Sequence, residues 1–80
     1  MFRAEFTIYP FLGGESLPGY VQAAIDAVRS AGIEVDVGLF GVSVIGELDT
    51  VLKAVQVAVA AAAGAGANKV VLSIESTDGA

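Results

Sequence analysis

The residues able to do chemistry recur at every second position: Arg3, Glu5, Thr7 and Tyr9, then Glu34 and Asp36, then Ser43, then Ser73 and Glu75. In an extended strand, alternate side chains share a face, so this spacing gathers carboxylates, hydroxyls and one phenol on a single sheet surface. Such a surface suits a cationic or amine-bearing small molecule, with the acids supplying charge complementarity and Tyr9 a flat apolar wall. The competing reading is a solvated face on which Arg3, Glu5 and Glu75 form ordinary cross-strand pairs.

Composition removes most other chemistry. The chain has no Cys and no His, which excludes disulfides, Cys/His zinc sites, the common Ser-His and Cys-His nucleophiles and the usual neutral-pH general base. The expectation is therefore a binding protein and not an enzyme, with no metal and no cofactor. Four basic and nine acidic residues give a net charge of −5, a field that repels nucleic acid. Hydrophobic residues make up 55% of the 80 positions and charged ones 16%, so the chain is expected to fold, as one domain over residues 1–80. The mean hydropathy of +0.74 is high. Even so, no stretch approaches the roughly 20 clean apolar residues of a membrane span. The opening Met1, Phe2, Arg3, Ala4, Glu5 lacks the pattern of a secretory signal, and the expected location is cytoplasmic.

These residues need strands and helices to hold them. From Arg3 to Tyr9 the sequence alternates, with Ala4, Phe6 and Ile8 on the inner face, and Pro10 with Gly13 and Gly14 ends the strand. A first helix is expected from Ser16 as its cap to about Ala31. Its apolar stripe is Leu17, Val21, Ala24, Ile25 and Val28, and Gly32 is a left-handed stop. Strands at Ile33–Val37 and Phe40–Ile45 are joined by so short a connection that they read as a hairpin. A second helix follows Gly46, with Leu48, Val51, Leu52, Val55, Val59 and Ala62 as its stripe and Gly64 and Gly66 as its end. The last strand is Lys69–Ser76, with Val70, Leu72 and Ile74 inward, and the tail Thr77–Ala80 is expected to fray.

The order strand, helix, strand, strand, helix, strand predicts the α+β, ferredoxin-like βαββαβ arrangement, a four-stranded antiparallel sheet with two helices on one face. Right-handed crossovers put the first and third strands in the centre. The other sheet face, carrying Tyr9, Ile45 and Val71 among polar residues, is left open for a ligand or another subunit. Val57 and Ala61, outward on the second helix, are a further candidate subunit contact. Glu47 and Asp49 read as helix-terminal residues in preference to a metal pair, and Gly13-Gly14 as a turn, because the Lys and Ser or Thr of a phosphate loop are missing. Phe11 reads equally as a pocket lid or as a staple onto the first helix. RNA binding on this sheet would need paired aromatics and basic residues, and metal delivery would need thiols; neither is present.

The segments Ala4-Glu5-Phe6-Thr7-Ile8-Tyr9-Pro10, Tyr20-Val21-Gln22-Ala23-Ala24-Ile25, Ala31-Gly32-Ile33-Glu34-Val35 and Gly46-Glu47-Leu48-Asp49-Thr50-Val51 resemble, in order, the YkoF-like thiamine-binding family. The resemblance implies a ferredoxin-like subunit, assembled as a homodimer or homotetramer, that binds thiamine (vitamin B1) or its hydroxymethylpyrimidine precursor in the cytoplasm without transforming it. The chain departs from that family's pattern at Leu39, Val42 and Ile45. On the open face, an aminopyrimidine can donate to Glu5 or Glu75 and bond with Thr7, Ser43 and Ser73, while Tyr9 can stack on either ring. A structural or regulatory oligomerisation module with no small-molecule ligand is the alternative.

Overall fold

The computed structural model describes residues 1–9, 19–38 and 41–78. The elements run β1 (Phe2–Tyr9), α1 (Gly19–Ser30), β2 (Asp36–Val37), β3 (Val42–Gly46), α2 (Leu48–Gly64) and β4 (Lys69–Ser76). The strands form one antiparallel sheet in the order β2-β3-β1-β4, with β1 and β3 central as right-handed crossovers require. This is the expected α+β, ferredoxin-like arrangement. The expected helix start at Ser16, the Gly13-Gly14 turn, Phe11 and Phe40 lie outside the described residues.

Alternation in β1 places Ala4, Phe6 and Ile8 in the core, where they meet Val42 and Val44 of β3. The helices close this layer with Val21, Ala24, Ile25 and Val28 from α1 and Val51, Ala54, Ala58 and Ala62 from α2. Among the described residues no polar or charged side chain is buried. Each large apolar side chain withdrawn from water there contributes about 1.5–3 kcal/mol, so the sheet is anchored from its helical side.

Both helices end by the same device. Gly32 (φ 81°) and Gly66 (φ 110°) take the left-handed conformation, and the next residues, Ile33 and Ala67, donate back to the carbonyls of Val28 (3.2 Å) and Ala62 (3.0 Å). This six-to-one bond satisfies carbonyls that the helix itself leaves free.

Four expectations need correction. β2 pairs only over Asp36 and Val37, not from Ile33, because the bond from Ile33 to Val28 holds that segment to the end of α1. The buried stripe of α2 is made of Val51 and three alanines, while Leu48, Leu52 and Val59 are exposed. Small side chains allow α2 to approach the sheet and α1 closely, which rolls the larger ones outward; Val57 accordingly packs against the core. On β4, Leu72 and Ile74 lie on the helical side yet remain exposed, because β4 is the sheet edge. Finally, the tail is tied down as far as Asp78: the Thr77 amide donates to the Met1 carbonyl (3.0 Å) and the Asp78 amide to Ser76 Oγ (3.2 Å).

Candidate functional site

The antiparallel register converts the alternate spacing of the sequence into rows across the open face. Arg3 stands between Ile45 and Glu75, and Glu5 stands between Ser43 and Ser73. Asp36 extends the Glu5 row beyond Ser43. Thr7 faces Val71, and Tyr9 faces Lys69. Directly opposed residues in an antiparallel pair project to the same side, so all six expected ligand residues, Glu5, Thr7, Tyr9, Ser43, Ser73 and Glu75, share this face.

A hollow of about 400 Å³ lies across the middle of it. Glu5, Thr7, Ser43 and Ser73 border the hollow, together with Arg3, Asp36 and the apolar Val71. Tyr9 and Glu75 lie on the same face but not on its rim. The Tyr9 ring is engaged by Lys69, whose ammonium sits 5.1 Å from the ring centroid. A second hollow of about 430 Å³ adjoins the first, with Arg3, Asp36 and Ser43 bordering both.

Gly38 and Gly41 give the hollow its end wall. The Gly38 amide donates to the Gly41 carbonyl at 2.8 Å, closing the β2–β3 hairpin. A Cβ at Gly41 would stand 2.9 Å from the Phe6 carbonyl oxygen and 3.2 Å from Thr7 Oγ1. Glycine is therefore what lets the hairpin approach β1 this closely, and any side chain would press on backbone that cannot move aside.

Charge on the face is already partly organised. Arg3 Nη2 lies 2.8 Å from Glu5 Oε1, an ion pair between side chains that remain 43% and 51% exposed, so Glu5 is paired without being withdrawn from water. The Arg3 Nε atom is buried and has no hydrogen-bond partner. The exposed part of the guanidinium is the end that carries the Nη donors, which can be shared between Glu5 and an acceptor arriving on the open side. Sequence reasoning placed Arg3 and Asp36 on the face without counting them in the site; their spacing, two residues from Glu5 and from Glu34, was the available signal.

Glu47 stands at the N-cap of α2 without a side-chain cap bond, and Asp49 Oδ1 accepts from the Thr50 amide at 3.0 Å. The capping bond expected of Glu47 is therefore absent, and what both carboxylates contribute is negative charge at the positive end of the helix dipole. Among the described residues no group of three or more His, Cys, Asp or Glu side chains is placed to hold a metal ion, and no helix is long and apolar enough to cross a membrane.

Residues 4–78 match the family described as thiamine-binding protein. Among solved structures, the chain is similar to a domain of unknown function, DUF77, from Bacillus cereus, with 31% identity and a TM-score of 0.67 over 92% of this chain and 71% of that one. A hypothetical protein from Methanocaldococcus jannascii is 29% identical with a TM-score of 0.67, over 99% of this chain and 84% of that one. A candidate thiamine biosynthesis/salvage protein of Thermotoga maritima shares the fold at 20% identity and a TM-score of 0.64, over 92% of this chain and 78% of that one. No curated protein matches the chain.

Proposed function

Because the chain belongs to the thiamine-binding protein family, we propose that it binds thiamine or its hydroxymethylpyrimidine precursor, without turnover, in the hollow on the open face of its sheet. The observation that carries this reading is the row Asp36, Ser43, Glu5, Ser73 along that hollow, in which hydroxyls alternate with carboxylates. An aminopyrimidine needs just such acceptors for its amino group and hydroxyls for its ring nitrogens. The thiazolium carries a permanent positive charge, which Glu5, Asp36 and Glu75 complement. The exposed Nη end of Arg3 can donate to a ring nitrogen or a terminal hydroxyl. Val71 offers an apolar floor, and Tyr9 can stack at the margin once Lys69 gives up one side of its ring.

Binding of this kind uses no nucleophile and no general base, in keeping with a chain that has neither His nor Cys. The 80 residues act as one domain, in the cytoplasm, in a homodimer or homotetramer that partly desolvates the open face and so strengthens its polar contacts.

One observation favours a second reading. The Arg3–Glu5 ion pair already satisfies the central carboxylate, as it would in an oligomerisation module that takes no ligand. Titration calorimetry with thiamine and with hydroxymethylpyrimidine separates the two: saturable heat is expected for a ligand-binding face, and its absence for both compounds supports the module.

A further inference from the structure

All four basic residues of the chain lie among the described residues, and of these only Arg3 borders the two adjoining hollows of the open face. Its guanidinium is already on Glu5. Lys69 stands over the Tyr9 ring, off the rim, while Arg29 and Lys53 belong to the helices and border neither hollow. With Arg3 and Glu5 balancing each other, Glu34 and Asp36 leave the joined rim an excess of two negative charges. A second copy of the chain set over this face brings the same acidic excess, since its net charge is also −5.

Anions are otherwise held by free backbone N–H groups, at a helix N-terminus or in a loop. Here the backbone of β1 is spent on both sides, in its ladders with β3 and β4, and the N-terminus of α2 carries Glu47 and Asp49. The rim therefore lacks what a phosphate needs. Asp36 is its most available charge: the carboxylate is exposed and makes no hydrogen bond or ion pair, in contrast to Glu5. It also borders both hollows. Thiamine has two rings, so Asp36 stays beside the thiazolium and its hydroxyethyl arm whichever ring takes which hollow.

Resting on the thiamine reading of the same hollow, we propose that this face selects its ligand by charge: it takes free, cationic thiamine and rejects the esters in which the hydroxyethyl group carries phosphate, with Asp36 setting the selectivity. A phosphate monoester carries about −1.5 to −2 charges at pH 7, which outweighs the single positive charge of the thiazolium, and a diphosphate carries more. Such a ligand meets Glu34 and Asp36 with no free cation to offset them, and its phosphate gives up water without gaining a partner. Free thiamine meets the same carboxylates as counter-charges. The face thus responds to free thiamine even where the diphosphate is in excess.

The test is titration calorimetry of the full chain with thiamine, thiamine monophosphate and thiamine diphosphate, at low and at physiological salt. The diphosphate is expected to bind at least about thirtyfold more weakly than thiamine, with the monophosphate between them and the ratio widening at low salt, where charge is less screened. Asp36→Asn should narrow the thiamine-to-diphosphate ratio by about threefold and Asp36→Lys by about tenfold or more. Asp36 is exposed on a two-residue edge strand, so circular dichroism should show the fold intact in both. Asp26→Asn removes the same charge from an exposed position of α1, where Asp26 bonds only Gln22, and should leave the ratio unchanged. Diphosphate binding as tight as that of thiamine overturns the proposal and leaves the thiamine reading standing. A ratio that ignores salt and both Asp36 variants overturns it too, because rejection is then by shape. If neither thiamine nor hydroxymethylpyrimidine binds, the reading of the face falls and the selectivity with it.

Discussion

β1 and β4 lie side by side in exact antiparallel register, and both alternate apolar with polar residues, yet they are buried to very different degrees. On the helical side Phe6 is 2% exposed while Leu72, directly opposite it, is 41% exposed; Ala4 is 0% exposed and its neighbour Ile74 38%. The alternation of a strand says which way a side chain points. Whether anything covers it depends on where the strand falls in the sheet and how far the helices reach. β1 is central and roofed by α2, whereas β4 is the last strand and α2 stops short of it with its large side chains turned out. The difference assigns the strands different work: β1 holds the core beneath and presents Glu5 and Thr7 above, while β4 has apolar surface to spare.

The sharpest way to break this comparison is to truncate the matched pair. Phe6→Ala should cost about 3–5 kcal/mol, measured by urea denaturation, because the cavity it leaves is walled by well-packed neighbours. Leu72→Ala should cost about 1 kcal/mol or less at concentrations where the chain is monomeric, since its side chain is already in water. Equal losses would show that β4 is as covered as β1.

On the outer face the comparison concerns ligand and not stability. Glu5→Gln keeps the size of the side chain and removes its charge, and should weaken thiamine binding by about 1–3 kcal/mol in calorimetry. Ser73→Ala, in the same row but on the exposed strand, should lose about 0.5–1.5 kcal/mol.

These predictions also mark how much was legible beforehand. The face assignments of Glu5, Ser43 and Ser73 followed from parity, because a period of two admits no intermediate orientation. The strand order followed from crossover handedness, and the stops at Gly32 and Gly66 from the freedom of glycine at positive φ. The roll of α2 was hidden because Leu48, Leu52 and Val59 make a better hydrophobic stripe on paper than Ala54, Ala58 and Ala62 do. Close approach rewards small side chains, and a list of hydrophobic positions does not register that. The Arg3–Glu5 pair was foreseen only as one of several partners for Glu5, since two residues on one strand face can each choose between neighbours along the strand and across it.

Smaller effects refine the picture. Gly32→Ala should cost about 1 kcal/mol through its positive φ alone, as open space surrounds a Cβ there. Lys69→Met should cost about 0.5–1 kcal/mol by removing the ammonium from the Tyr9 ring.

The central claim, that the open face between β3, β1 and β4 receives a thiamine-like ligand, is tested most directly by titrating thiamine into the isotopically labelled protein and following backbone amide shifts. Saturable shifts centred on Glu5, Thr7, Ser43 and Ser73, with little change along α1 and α2, are the expected result. Shifts confined to the helices, or no saturable shift at any residue, would contradict it.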